Sequence, residues 1–217
     1  RRYSSAASDV YKRQAVFNTP LTSLEIQQLM NDQLNDTHVR WNNLEGYWNM
    51  NEGAGTITND ISGNNNTGTL GNEAKWNCDD IGGNDDVSCN EYSVSLDGSN
   101  DYIKVDYNQS LFPSQITLAS WINPSSTSMN DYIISTKQQG GYSLGVNITT
   151  GGSNHPNKLS ARCQVNGVYY NIYGSSDIPT DTWSHVALTY DGTKFKIYVN
   201  GVEAVSYTHL RAHETLT

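Results

Sequence analysis

Three sets of side chains in this sequence could carry chemistry. The first is a series of carboxylates and amides at loop positions: Glu52 and Asp60, then Asp79, Asp80, Asp85 and Asp86, then Asp97, Asn100 and Asp101. Hard oxygen ligands on turns are what Ca2+ takes, with backbone carbonyls completing the shell. None of these runs has EF-hand spacing. Asp and Asn also stabilise turns by bonding their own backbone, and that plainer role competes at every cluster. The expected calcium ligands are Asp60, Glu52, Asp97 and Asp101, with Asp60 and Asp101 the best placed.

The second set is aromatic. Tyr132, Tyr142, Tyr169, Tyr170 and Tyr173 fall on or beside late strands. Exposed rings stack on the apolar faces of sugars, while rings turned inward simply fill a core. Tyr169 and Tyr170 are adjacent, so within one strand they point to opposite faces. Tyr169, Tyr170, Asn171 and Tyr142 are the expected ligand contacts. His155 sits in a Gly/Asn loop and reads as solvated.

The third set is Cys78 and Cys89, which bracket a short acidic loop. Their spacing suits a disulfide in an oxidising compartment. Such a bridge contributes roughly 2–3 kcal/mol in the chain-entropy account. Two buried free thiols are the alternative. Cys163 reads as a small core residue, and without a nearby His the three cysteines do not suggest zinc.

The scaffold for these groups is β-structure. From Trp183 to Glu203, two alternating runs, His185–Tyr190 and Phe195–Asn200, flank Asp191-Gly192, and Asn200-Gly201 closes the second. Alternation predicts strands with one buried and one wet face. Asp-Gly and Asn-Gly supply the positive φ that tight hairpins need. Further strands are expected at Glu45–Met50, Thr56–Asn59, Thr67–Leu70, Tyr92–Leu96, Tyr102–Val105, Ile116–Ile122, Tyr132–Thr136, Tyr142–Ile148, Lys158–Val165 and Val168–Tyr173. Strands at roughly ten-residue spacing make a sandwich. One short helix is expected from Ser23 to about Met30, with Thr22 and Glu25 as its capping box and Leu24, Ile26 and Leu29 on its apolar side.

Composition narrows the partners. The chain carries 13 Lys+Arg against 22 Asp+Glu, a formal net charge of −9. That argues against nucleic acid, whose phosphates need a positive surface. No apolar run approaches spanning length, so membrane insertion is not expected.

The wording of several segments resembles the laminin-G-like jelly-roll family of the concanavalin A-like lectin/glucanase superfamily. The run TWSHVALTYDG followed by IYVNG resembles the family's W-x-H-V-A-x-T-Y-D-G and Y-V-N-G. Trp48, Glu52, Gly53, Gly55, Asp60, Ser62, Gly63, Asn66, Gly68, Thr69 and Leu70 match a second family pattern. Tyr92–Leu96, Asp97-Gly98 and Tyr102–Val105 resemble the family's L-D-G-x-x-D-Y-I and are expected to form a hairpin. The resemblance implies an all-β, antiparallel β-sandwich of jelly-roll type with one short N-terminal helix. It also raises the expectation of calcium at loops. It makes His185 a strand residue rather than a catalytic one, and the acidic E-x-D-x-x-E pattern of retaining glucanases is absent.

Ser4–Gln14 and Val205–Thr215 resemble translated read-through of transposase adaptors used to prepare sequencing libraries. Such segments are set aside in fold reasoning. The expected organisation is therefore 1–14 adaptor-like, 15–32 the last strand and helix of a preceding laminin-G-like domain, 33–43 linker, 44–204 a laminin-G-like domain lacking its last strand, and 205–217 adaptor-like. Without Arg1, Arg2, Lys12, Arg13, Arg211, Asp9 and Glu214 the net charge is near −12. Ala15–Phe17 is expected to ladder with the strand at Glu45–Met50 and to close an otherwise open sheet edge.

The function expected is that of a non-enzymatic, extracellular or cell-surface recognition module. Its partner would be a glycan or an extracellular protein, alongside other domains of a larger adhesin or secreted hydrolase. A ligand-free spacer repeat and, further off, a glycoside hydrolase are the alternatives.

Overall fold

The computed structural model describes residues 9–78, 91–127, 131–136, 141–148 and 155–208. Asp79, Asp80, Asp85, Asp86 and Cys89 lie outside them, so the expected Cys78–Cys89 pairing does too. In chain order the strands are β1 (Asp9–Phe17), β2 (Leu44–Trp48), β3 (Ile57–Thr58), β4 (Gly68–Gly71), β5 (Lys75–Cys78), β6 (Tyr92–Leu96), β7 (Tyr102–Val105) and β8 (Ile116–Pro124). They continue with β9 (Asp131–Ser135), β10 (Tyr142–Val146), β11 (Lys158–Val165), β12 (Val168–Asp177), β13 (Ser184–Tyr190), β14 (Lys194–Val199) and β15 (Val202–Thr208). A single α-helix, α1 (Ser23–Asn31), follows β1.

All the described pairings are antiparallel. One large sheet has the order β15-β14-β13-β8-β1-β6-β5, with β2 also on β1. Facing it are two smaller sheets, β12-β11-β10-β9 and β3-β4-β7. The core between the layers joins Val16, Leu118, Leu188 and Phe195 of the large sheet to Leu70, Leu144, Leu159 and Ile172 of the smaller ones. This is the antiparallel sandwich that the alternation implied.

Four expectations need correction. Tyr92–Leu96 and Tyr102–Val105 are not a hairpin, because β6 pairs with β1 and β5 while β7 pairs with β4. The Asp97–Asp101 turn instead carries the chain from one layer to the other. Strand β13 has no wet face: His185, Ala187 and Thr189 are as buried as Val186 and Leu188. The cause is a third layer. Helix α1 lays Ile26 and Leu29 on the outer side of the large sheet, against Phe17, Leu44, Tyr47, Ala119, Ala187 and Tyr198. Leu24, expected on the helix's apolar side, is 66% exposed.

The fourth correction concerns β1. Its ladder with β2 is present, pairing Ala15 with Tyr47 and Phe17 with Leu44. Strand β8 flanks it on the other side along its length, so β1 fills the gap between β8 and β2 as expected, and what differs is its start. Strand β1 begins at Asp9, ahead of the boundary expected at residue 15. Its register on β8 shifts between Lys12 and Ala15, where Arg13 has φ 52°. Strand β15 likewise runs past Ala204.

Local chemistry explains the helix and the late hairpin. Thr22 Oγ1 accepts from Glu25 N at 3.3 Å, and Glu25 Oε2 accepts from Thr22 N at 2.8 Å. This reciprocal pair satisfies two otherwise orphaned donors. Arg40 Nε donates to the other Glu25 oxygen at 2.6 Å. At the β14–β15 turn, Asn200 and Gly201 both have positive φ, 49° and 74°. That is the twist a two-residue hairpin requires.

Candidate functional site

The acidic loops are built as turns. Asp60 accepts three backbone N–H bonds, Oδ1 from Tyr47 and Ser62 at 2.9 Å each and Oδ2 from Asn66 at 2.8 Å. Asp101 accepts from Glu73 N at 2.8 Å and from Asp97 N at 2.9 Å. Asp97 Oδ1 takes Ser99 N at 2.8 Å, and Glu52 Oε1 takes Asn59 N at 2.7 Å. These donors hold the loops and aim positive N–H dipoles at the oxygens a cation would need. The structure brings Glu52 near Asn59 and Asp97 near Asp101. Among the described residues, no three His, Cys, Asp or Glu side chains gather as a metal shell.

The aromatic set falls into two groups. Tyr142 is buried in the core, pairs across strands with Cys163, and donates its hydroxyl to Pro113 O at 3.0 Å. Burial pushes both its phenol and the Cys163 thiol well up. Tyr170 also faces inward, with its ring 6.3 Å from Phe195. Neither can present a face to a ligand on the outside. Tyr169 and Asn171 do point out, and Tyr169 is 53% exposed.

Directly opposed residues in an antiparallel sheet share a face. Register therefore defines what surrounds Tyr169 and Asn171 on the outer side of β9–β12. One cross-strand row is Tyr132, Gly145, Ser160 and Tyr173. The next is Ser135, Ser143, Arg162 and Asn171, and the third pairs Gln164 with Tyr169. Between Tyr132 and Tyr173 the row is closed to solvent, since Gly145 is buried, Ser143 is 4% exposed and Ser160 0%, so Tyr169 and Asn171 are the accessible part of this face. At Gly145 a Cβ would collide with the Asp131 carbonyl oxygen, which covers this position.

Polar groups border these rings. Arg162 holds its guanidinium 4.2 Å from the centre of the Tyr169 ring, a cation–π contact that keeps the ring upright. Its Nε is buried and makes no hydrogen bond. His155, expected to be solvated, instead stacks on Tyr173 with ring centres 3.8 Å apart. Its backbone N donates to Asn147 Oδ1 at 3.0 Å. Asp177, at the end of β12, is paired with Lys158 at 2.7 Å. Arg162, Gly145 and His155 were not legible as site residues, because only strand register brings them beside Tyr169 and Tyr173.

His185 lies on the opposite side of the molecule, under the third layer. It is 2% exposed, its ring centre is 5.5 Å from that of Trp121, and Nδ1 has no hydrogen bond. Burial, with Arg13 nearby, lowers its pKa to about 4. It is a neutral structural histidine.

A family model described as the concanavalin A-like lectin/glucanases superfamily, of laminin-G type, matches residues 97–216. No curated protein matches the chain. One solved structure that does is the crystal structure of a "putative carbohydrate binding protein" from Bacteroides ovatus ATCC 8483, with 13% identity and a TM-score of 0.39. The alignment covers 96% of this chain and 62% of that one, so this chain spans less than two thirds of its length.

Proposed function

We propose that this chain, which belongs to the concanavalin A-like lectin/glucanases superfamily, is a non-catalytic module that binds carbohydrate on the outer face of β9–β12. The observation that carries this reading is the exposed ring of Tyr169 with the exposed Asn171 on the same face and Arg162 and Gln164 beside them. A pyranose ring can lie with an apolar face against that tyrosine. Asn171, Gln164 and Arg162 would bond its hydroxyls.

The carboxylates favour gripping over cutting. A glycosidase needs two accessible, facing carboxyl groups, one holding a proton. Asp60 and Asp101 are occupied by backbone donors, and Asp177 by Lys158. Among the described residues, the carboxyls that burial pushes up toward neutrality, Asp9 and Asp131, are 5% and 1% exposed.

We place the module outside the cell, with a Cys78–Cys89 bridge, as part of a larger adhesin or secreted hydrolase. In that setting residues 15–32 derive from a preceding domain of the same type. A glycan array probed with the whole chain tests the binding reading. It should return saturable hits, whereas an array without one would favour the spacer role.

A further inference from the structure

A cavity lies between the two halves of the smaller layer. It encloses about 780 Å3, within the size range of roughly 300–1,000 Å3 typical of binding clefts. One wall is β7 and the other is β9, and the cleft borders the outer face at Tyr132. The floor is the inner side of the large sheet, where Val16, Trp48 and Leu96 lie, with Leu111 beside them.

Both walls are strand edges. Among the described strands, β7 pairs only with β4, and β9 only with β10. No backbone hydrogen bond reaches residues 103–105 or 133–135 from the cleft side among the described residues. One such group has found a substitute donor: Gln14 Nε2 reaches the Ile133 carbonyl at 3.2 Å. An unpaired edge is a template for another strand, and here two edges look toward one cleft.

We propose that this cleft is a strand slot that takes an extended polypeptide segment of a partner protein, pairing with β7 and β9 together. Repeating main-chain N–H and C=O groups match such edges, while a glycan offers hydroxyls at no strand spacing. Alternate side chains of the segment would point to the floor and to solvent. The floor is apolar, so the inward residues are aliphatic. At the rim stands the exposed Asp106, paired with Lys104 at 2.6 Å, and the chain as a whole carries −9. The outward residues are therefore basic. This surface does not depend on the carbohydrate reading.

Amide hydrogen exchange of the whole chain tests the slot. The probes are a short peptide alternating valine with lysine and the same peptide with proline replacing each lysine. We expect the first to slow exchange at residues 103–105 and 133–135 by about tenfold or more and to bind. We expect the second, which has lost half of its N–H donors, to bind at least about tenfold more weakly, or 1.4 kcal/mol. Equal binding of the two peptides, protection elsewhere, or no binding would overturn the proposal. Array hits by the whole chain would be unaffected by any of these results.

Discussion

Asp131 of β9 and Asp9 of β1 bring two buried carboxyl groups within electrostatic reach of each other across the sandwich. Asp131 is 1% exposed and Asp9 5%. Tyr11 Oη donates to Asp9 Oδ2 at 2.9 Å, while neither Asp131 oxygen has a hydrogen bond. Burial pushes Asp9 up to about 6; burial, and then the charge of Asp9, pushes Asp131 up to about 7. The folded chain therefore holds protons that the unfolded chain releases near pH 4. Stability from this pair is full below that value and is lost as pH rises through 6 and 7. Denaturation followed from pH 4 to pH 8 should show the loss, and Asp131→Asn should flatten that limb. An Asp131→Asn slope equal to that of the original chain would refute the coupling.

His185 acts with the opposite sign. Its folded pKa of about 4 lies below the ordinary value of 6.5, so burial favours the neutral ring. The stability it supports is full above pH 6.5 and is lost as pH falls toward 4. His185→Phe, which keeps an aromatic ring against Trp121, should reduce that acid-side loss. The difference in unfolding free energy between the two proteins should grow in favour of the variant below pH 6. A difference that stays constant with pH would show that His185 does not titrate there.

Asp60 should be a structural acceptor rather than a metal ligand. Asp60→Ala leaves the backbone N–H groups of Tyr47, Ser62 and Asn66 without their charged partner. Bonds to a charged group are individually worth about 1.5–3 kcal/mol and do not add fully. A loss of about 3 kcal/mol is expected, and a chelator should not change it. A chelator that removes the difference between the two proteins would instead point to a bound cation.

Phe17 tests whether the N-terminal strand and helix are integral to the fold. It is fully buried between the large sheet and α1, beside Leu44 and Ala187. Truncating such a ring typically costs about 3–5 kcal/mol. Phe17→Ala should lower the unfolding free energy by that amount, read from a single chemical-denaturation transition. A loss below about 1 kcal/mol would mean that residues 15–31 sit loosely on the domain rather than completing it.

The sequence was most readable where one rule decided the outcome. β6, β7 and β11 begin and end as alternation and turn residues imply, and Thr22 with Glu25 marks the helix start. β5 was hidden because Lys75–Cys78 has no apolar alternation; its ladder with β6 and the bond from Trp76 Nε1 to Gly55 O at 2.8 Å are long-range. The double burial of β13 could not be read from its own residues, since it depends on where α1 docks. Opposite facing of Tyr169 and Tyr170 followed from strand geometry. Which of them faced inward, and that Tyr142 did too, was set by long-range register with Cys163 and contact with Phe195.

Titration calorimetry with the best array glycan, comparing the original chain with a Tyr169→Ala, Asn171→Ala variant of equal melting temperature, tests the carbohydrate-binding reading most directly. Loss of the exposed ring and its neighbouring amide should weaken binding by at least about tenfold, or 1.4 kcal/mol. Unchanged affinity in that variant would contradict the placement of the glycan on the outer face of β9–β12.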